Sequence, residues 1–320
     1  MELSNDVDAI WAAFSVMLPL DLQREVEVLA LGLGLVPQPD IPWSRVFKNE
    51  VTLAAPALFA DALPRATREM VVAATTAHML AVIDAFATDR MLDRQVTGSP
   101  PMLRLLNHVR VERDRAIREL TGEPTSPYRD AEYDVVCAIN TERILLQHRV
   151  PLSFADYSQL SLAKQAVAFP ASLALCRAAG GDSRRERAVH SVLNGIVLGL
   201  QFHDDVIDWE DDWKHGGAWA VSLSRGQGPA DRDPCDDKVD IESVRRQVHA
   251  SGVLATMMTM ARWRYRKAHQ LAALLGASGL SAWAREQEVT AMDLAERENN
   301  SAGYVVRAHQ LSNWAMEVFG

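Results

Sequence analysis

Apolar residues recur along most of the chain with the 3.6-residue period of an α-helix. Alternating runs of β-branched residues between tight turns, which are typical of strands, do not stand out. The pattern predicts helices over about 7–35, 67–94, 102–120, 130–148, 153–179 and 183–214, followed by two or more helices up to Phe319. Pro19 is expected to break or kink the first of these helices, and Pro170 the fifth. The fold is therefore predicted to be all-α.

Proline and glycine mark the predicted connections between these helices. A Pro- and Trp-containing segment (VPQPDIPWS) follows Leu35, Pro100 and Pro101 are expected to enforce a loop, and two glycines follow Ala179. The strongest loop signal is residues 226–240 (GQGPADRDPCDDKVD). Because no change of composition divides the chain, we expect residues 1–320 to form a single domain.

The charge of the chain limits its partners. Its formal net charge is −9, so nucleic acid is not an expected partner. A phosphate-bearing ligand remains compatible with this charge, provided that bound divalent cations reverse the sign of the local site.

Cysteine usage and hydropathy suggest where the protein works. The three cysteines form no CxxC pair, which argues against a disulfide framework or a zinc site and suits a reducing cytosol. The start of the chain (MELSNDVDAIW) is acidic and lacks the features of a signal peptide. We find no uninterrupted apolar stretch of the ~20 residues that a spanning helix needs. We therefore expect a cytoplasmic protein that does not span a membrane.

The strongest chemical signal is the segment HDDVIDWEDDW, residues 203–213. On a helix, Asp204, Asp208 and Asp212 lie at i, i+4 and i+8 and share one face, with Asp205 beside them. The apolar sequence around them predicts partial burial, which would strengthen their mutual repulsion. A bound cation relieves that repulsion, and carboxylates without histidine or thiolate favour magnesium. The alternative is a solvated acidic helix end.

A second pair of carboxylates, Asp89 and Asp93, lies at i, i+4 late in an apolar helix. Taken alone, these two residues are interpreted as helix-end charges that pair with Arg90 and Arg94.

Both acidic segments are similar to known motifs. LQFHDDVIDWEDD, at 200–212, resembles FQxxDDxxD, the second acidic motif of prenyl diphosphate synthases. It also fits the terpene cyclase pattern (N/D)DxxSxxxE, with Asp208 in the Ser position and Asp212 in the Glu position. DRMLD, at 89–93, resembles a reduced DDxxD motif in which Arg90 replaces the second aspartate.

A lysine completes the resemblance. In YSQLSLAK, Lys164 lies where prenyl synthases carry a diphosphate-binding lysine (Y…KT), although Gln165 replaces the usual threonine. With these matches, residues 60 to 225 resemble the class I isoprenoid synthase family, which contains prenyl diphosphate synthases and terpene cyclases. The resemblance implies a single antiparallel helical bundle around a central apolar cavity, usually as a homodimer.

The resemblance also implies roles for individual residues. Magnesium would be bound by the carboxylates of the two acidic motifs: Asp89, Asp93, Asp204, Asp205, Asp208 and Asp212. Asp89, Asp93, Asp204 and Asp208 would act directly in catalysis. The substrate diphosphate would be bound by Lys164, Lys214 and Arg225, and residues 226–240 would form a lid. Lys164 has an alternative role as a surface lysine, and Lys214 as a partner of Asp211 or Glu210.

The details of the motifs favour one activity within this family. The GGKRxRP motif and the Arg pair that bind isopentenyl diphosphate in elongating synthases are both missing. A terpene cyclase acting on farnesyl or geranylgeranyl diphosphate needs only one diphosphate site. Aromatic faces stabilise its carbocation, and the lining candidates are Phe86, Phe169, Phe202, Trp209 and Trp219.

Three alternatives remain open. The first is a chain-elongating prenyltransferase. The second is a head-to-head synthase, because DWEDDWKHGG has some likeness to the DVGEDxxRG segment of squalene and phytoene synthases. The third is a non-enzymatic helical metal-binding protein, although no EF-hand loop occurs.

Overall fold

A computed structural model describes residues 3–47, 49–148, 150–215, 217–225 and 241–319, with side chains from residue 6 to residue 302 of these ranges. The described ranges contain helices and connecting segments and no strand, which confirms the predicted all-α fold. The α-helices are α1 Leu3–Val16, α2 Leu20–Glu27, α3 Leu29–Gly32, α4 Trp43–Val46, α5 Val51–Leu58, α6 Arg68–Leu92, α7 Pro100–Thr121, α8 Tyr128–Gln147, α9 Phe154–Lys164, α10 Pro170–Ala178, α11 Ser183–Ile207, α12 Trp209–His215, α13 Trp219–Arg225, α14 Ile241–Ser251, α15 Val253–Leu275 and α16 Ser278–Phe319. Two 3₁₀ turns occupy Ala60–Ala62 and Ala166–Ala168.

Several predicted helix boundaries are confirmed. Pro19 lies directly before α2, between α1 and α2. Thr67 is the N-cap of α6, and its hydroxyl accepts a hydrogen bond from the backbone N–H of Met70 at 3.3 Å. That bond satisfies one of the free N–H groups of the first turn, which is why the long apolar helix begins there.

The predictions at two proline positions were wrong. Pro100 and Pro101 do not form a loop but occupy the first turn of α7, behind the N-cap residue Ser99. Pro170 likewise begins α10, so the single kinked helix expected over 153–179 is α9, a 3₁₀ turn and α10. Proline suits the first turn of a helix because its fixed φ is already helical and the missing N–H would be unbonded there anyway.

Backbone contacts divide the chain into two compact units. Unit 1 comprises Met1–Ile139, Ala163–Leu193 and Gln270–Ser281; unit 2 comprises Asn140–Leu162, Asn194–His269 and Ala282–Gly320. The single domain expected over residues 1–320 stays a prediction.

The core of unit 1 is built around α6, against which α5, α7 and α10 pack. Among the described residues, α6 is the one helix long and apolar enough to cross a membrane, with a mean hydropathy of 1.7 over its most apolar window. Of that window, 67% is buried within the protein. A helix that is apolar on most sides is therefore explained here by its central position in a protein core.

Unit 2 contains a close approach between α11 and α15. A Cβ atom added to Gly199 would lie 2.6 Å from Cε1 of Tyr265, and one added to Gly195 would lie 2.9 Å from the carbonyl oxygen of Arg264. The Tyr265 ring is fully buried and packs edge-on against Trp283 of α16. Glycine at these two positions therefore allows the C-terminal half of α11, which carries the second acidic motif, to pack closely on α15.

Candidate functional site

The end of α6 brings together two of the residues singled out in the sequence. Asp89 lies in the last turn of α6, and Lys164 is the last residue of α9. Lys164 Nζ lies 3.3 Å from Asp89 Oδ1, with 22% of the lysine side chain and 26% of the aspartate side chain exposed. The predicted diphosphate-binding lysine and a predicted metal ligand are thus in direct contact within unit 1.

The hydrogen bonding of Asp89 Oδ1, the oxygen that faces Lys164, is incomplete among the described residues. Oδ1 is buried, and no described residue donates a hydrogen bond to it. Lys164 neutralises the charge of Asp89 through the ion pair, but no hydrogen bond from the described residues uses the lone pairs of Oδ1. A buried carboxylate oxygen in this condition is unusual, because burial without hydrogen bonds costs free energy.

Asp93 lies one turn after Asp89, where α6 ends. Its backbone N–H donates to the carbonyl of Asp89 at 2.9 Å, and its side chain is exposed. Arg94 follows with φ of 59°, and the N–H groups of Arg94 and Gln95 donate to the carbonyls of Met91 and Arg90. This is a Schellman motif with arginine where glycine is usual. The helix therefore stops directly behind the first acidic motif.

The upstream aspartate of α6, Asp84, does not belong to this group. It is buried, and Arg110 of α7 holds both of its carboxylate oxygens at 2.9–3.0 Å. Arg113 of α7 lies 3.8 Å away. Asp84 thus links α6 to α7 within the core of unit 1.

The second acidic motif lies across a helix boundary. The helix predicted over 183–214 is interrupted at Asp208, between α11 and α12, so its expected continuity was wrong. Backbone hydrogen bonds nevertheless join Asp208 N–H to Asp204 O at 2.9 Å, and Asp212 N–H to Asp208 O at 3.0 Å. The i, i+4, i+8 register of the three aspartates is therefore preserved through the interruption.

The burial expected for these three aspartates was wrong, because Asp204, Asp208 and Asp212 are all exposed. Burial falls instead on Asp205, of which 6% is exposed. Asp205 shares the i, i+3, i+4, i+7 face with the buried residues Phe202, Val206 and Trp209. The sequence contained this signal, since three apolar residues at helical spacing define an inward face that includes position 205.

Both carboxylate oxygens of Asp205 are hydrogen-bonded. The hydroxyl of Tyr157 donates to Oδ2, and Gln201 Nε2 donates to Oδ1 at 2.9 Å. Burial raises the pKa of Asp205 well above its ordinary value, and the hydrogen bond from Tyr157 opposes that rise. Burial, together with the adjacent Asp205, also raises the pKa of Tyr157 well above its ordinary value.

The proposed diphosphate ligands Lys214 and Arg225 lie after the second motif. Lys214 Nζ pairs with Asp211 Oδ1 at 2.7 Å, and both side chains are largely exposed. Glu210 pairs instead with Arg245 of α14 at 2.7 Å. Arg225 is the last residue of α13 and half-buried. Their binding of diphosphate stays a prediction, and the lid expected at 226–240 lies outside the described residues.

The aromatic residues considered as cavity lining all have aromatic or histidine neighbours. Phe86 contacts Phe47 and Phe169 contacts His190, both within unit 1; in unit 2, Phe202 and Trp219 contact Tyr157, and Trp209 lies edge-on to His249. Phe202, Trp209 and Trp219 are buried, which is typical of core packing. A role as cavity lining stays a prediction.

The chemistry of the donors fits magnesium. Within the described ranges, no three histidine, cysteine, aspartate or glutamate side chains are grouped so that they could hold an ion by themselves. Mg²⁺ is commonly held by one or two carboxylates, with substrate phosphates and waters as its other ligands. The carboxylates of Asp89 and Asp93 in unit 1, and those of Asp204, Asp208 and Asp212 in unit 2, are each of the oxygen-donor type that Mg²⁺ binds together with phosphate.

Comparisons with known proteins identify the fold. No protein-family model matches the chain, and no curated protein matches it significantly. The structure of a polyprenyl synthetase from Streptomyces coelicolor A3(2) is similar with a TM-score of 0.69 at 14% identity, over 89% of this chain and 97% of that one. A polyprenyl synthase from Roseobacter denitrificans is similar with a TM-score of 0.58 at 14% identity, over 88% and 99% of the two chains. The predicted resemblance is thus confirmed at the level of architecture, and the chain has the all-α fold of the polyprenyl synthases.

Proposed function

We propose that this protein is a magnesium-dependent class I terpene synthase, which ionises an allylic prenyl diphosphate and cyclises the resulting carbocation. The observation that carries the proposal is the contact of 3.3 Å between Lys164 Nζ and Asp89 Oδ1, a buried oxygen to which no described residue donates a hydrogen bond. These residues lie in the two segments that resemble the diphosphate-binding lysine and the first acidic motif of the isoprenoid synthases. The shared fold supports the same substrate class, prenyl diphosphates.

Each acidic residue has a defined role in this proposal. Asp89, Asp93, Asp204, Asp208 and Asp212 would hold magnesium. The bound metal would supply Lewis-acid neutralisation of the leaving diphosphate. Asp205 is not included in this set, because both of its carboxylate oxygens are already hydrogen-bonded.

Lys164 acts as a cationic donor to the diphosphate. In the ion pair it is held by Asp89, so the ammonium group is positioned before substrate arrives. If Asp89 held a metal ion, its charge would be shared with that ion, and the ammonium group of Lys164 would be available to the diphosphate. The electrostatic attraction between Lys164 and the diphosphate therefore increases as negative charge develops on the leaving group.

Cyclisation is favoured over chain elongation by the number of anion sites. Elongation must bind isopentenyl diphosphate beside the allylic substrate, and the sequence lacks the GGKRxRP motif and the Arg pair that serve this in the resembled family. Without those donors, a second doubly charged group is poorly held. The second candidate, a chain-elongating prenyltransferase, is favoured by the names of the structural neighbours, which are polyprenyl synthases.

The two candidates predict different products from one panel of reactions. The purified protein is incubated in magnesium buffer with geranyl, farnesyl or geranylgeranyl diphosphate, each with and without isopentenyl diphosphate. A cyclase releases hydrocarbon or terpene alcohol from the allylic substrate alone. A longer diphosphate that forms only when isopentenyl diphosphate is present would establish elongation and contradict cyclisation.

The carboxylates are tested in the same assay. Asp204→Asn is expected to abolish turnover of whichever substrate is accepted, and chelation of magnesium to do the same reversibly. Asp293→Asn is the matched control, because Asp293 is also an exposed aspartate on a helix, α16. Equal activity of the two variants would remove the second acidic motif from the mechanism.

A further inference from the structure

The adjacent aspartates of the second motif, Asp204 and Asp205, face different surroundings. Asp204 is exposed, whereas Asp205 is 6% exposed and lies on the buried face of α11. Consecutive residues of an α-helix point in directions about 100° apart, so one helix cannot present both carboxylates in the same direction. The pair is therefore divided between solvent and the interior of unit 2.

The hydrogen bonds of Asp205 fix its carboxylate in place. One oxygen accepts from the Tyr157 hydroxyl of α9, and the other accepts from Gln201, one turn earlier on α11. A buried carboxylate whose two oxygens both accept from neutral donors, one of them the buried Tyr157, has a defined orientation. It is poorly placed to rotate toward an ion in solvent.

Tyr157 is itself held on two sides. It is fully buried, with its ring centroid 4.8 Å from that of Phe202 on α11 and 5.1 Å from that of Trp219 on α13. Trp219 in turn donates from Nε1 to Glu142 of α8 at 2.6 Å. Helices α8, α9 and α13 are thus connected through Tyr157 to the turn of α11 that carries Asp204 and Asp205.

We propose that Tyr157 is a positioning residue, which holds Asp205 inward and thereby fixes the last turn of α11 with Asp204 directed to solvent as a metal ligand. Asp205 is the residue through which it acts and is not itself a ligand. This inference rests on the proposed function, because it assigns Asp204 to the metal. Residues that orient a metal ligand through hydrogen bonds commonly change metal affinity about 10–100-fold when they are replaced.

The test measures metal binding directly, with Mn²⁺ as an oxygen-preferring paramagnetic substitute for Mg²⁺. The full chain is titrated with Mn²⁺ in the presence of inorganic pyrophosphate, and free Mn²⁺ is followed by electron paramagnetic resonance. Tyr157→Phe removes only the hydroxyl and is expected to raise the half-saturating Mn²⁺ concentration about 10-fold. Tyr128→Phe, at an equally buried tyrosine in unit 1, is the control and is expected to bind like wild type. Wild-type affinity in Tyr157→Phe, even with lowered thermal stability, would overturn the inference.

Variants of Asp205 provide a second, independent test. Asp205→Asn keeps an oxygen for the Tyr157 hydroxyl, and the Gln201 amide can reverse to accept from the new NH₂ group. Near-wild-type Mn²⁺ binding is therefore expected for Asp205→Asn, and weakened binding for Asp205→Ala. If Asp205→Asn binds as weakly as Asp204→Asn, Asp205 is a ligand and the inference fails. This comparison decides the question even if Tyr157→Phe does not fold.

Failure of the proposed function gives a different result. If the Tyr157 and Asp205 variants behave as expected but no prenyl diphosphate is turned over, the positioning role stands and the enzymatic proposal fails. If wild-type protein binds no Mn²⁺ with pyrophosphate, both proposals fail together.

Discussion

The ammonium nitrogen of Lys164 lies 3.3 Å from Oδ1 of Asp89, so the last residue of α9 is paired with the last turn of α6. The ion pair is partly exposed to solvent, and such pairs contribute no more than about 1 kcal/mol to stability. The contact between Lys164 and Asp89 therefore adds little to the stability of the fold. The contact instead fixes positions, since it holds the Lys164 ammonium group next to a carboxylate oxygen that accepts no hydrogen bond from the described residues.

Lys164→Met is expected to lower kcat/KM for the accepted prenyl diphosphate on the order of 100-fold, because a cationic donor to the leaving group is lost. The free energy of unfolding should change by less than about 1 kcal/mol. Steady-state kinetics and urea unfolding measure the two quantities. Lys267→Met is the control, because Lys267 is an exposed lysine near the Trp263 ring. Equal kcat/KM for the two variants would contradict the assigned role.

Position 94 offers a test of backbone strain beside the first acidic motif. Arg94 has φ of 59°, a left-handed conformation that costs a residue with a side chain about 1–2 kcal/mol. Arg94→Gly is therefore expected to increase the free energy of unfolding by about 1 kcal/mol, measured by urea titration. Gly122→Ala is the reciprocal control: Gly122 has φ of 70°, and an added Cβ would meet no atom within 4 Å. Gly122→Ala should therefore lower the free energy of unfolding. An increase in both variants would contradict the proposed strain at Arg94.

Gly199 is predicted to tolerate no side chain. An added Cβ would lie 2.6–2.9 Å from three atoms of the Tyr265 ring, which is fully buried and cannot move aside cheaply. Gly199→Ala should lower the free energy of unfolding by about 1–3 kcal/mol. Gly279→Ala, where the nearest atom to the new Cβ is 3.8 Å away, should be neutral or stabilising. Thermal unfolding of the two variants checks this, and equal Tm values would refute the close packing.

The stability of the protein is expected to fall at low pH because His78 is buried. Burial lowers the pKa of His78 to about 4, and Nε2 is 3.0 Å from the carbonyl oxygen of Thr52. The unfolded chain takes up a proton here below its ordinary pKa of about 6.5, but the folded protein does not until about pH 4. The contribution of His78 to the free energy of unfolding is therefore complete above pH 6.5, and it falls by about 3 kcal/mol as the pH is lowered from 6.5 to 4.

His78→Gln removes this titration and keeps an amide donor for Thr52 O. Urea unfolding at pH 7 and pH 5 should show that wild type loses about 2 kcal/mol more than the variant between these values. Parallel losses in the two proteins would show that His78 is not the group responsible.

The sequence alone predicted the features that depend on nearby residues. Helical periodicity gave the all-α fold, Thr67 the start of α6, and the i, i+4, i+8 spacing the register of Asp204, Asp208 and Asp212. Such features follow from backbone hydrogen bonds and capping within a few residues, so a short stretch of chain contains the information they need.

The tertiary structure decided which side chains meet and which face solvent. The contact of Lys164 with Asp89 and that of Tyr157 with Asp205 join residues on different helices, whose separation in sequence does not specify their distance. The exposure of Asp204 and the burial of Asp205 likewise depend on what packs against α11. The sequence determined that an acidic helix end exists, and packing determined which of its carboxylates faces solvent, because burial depends on neighbouring helices as well as on helical spacing.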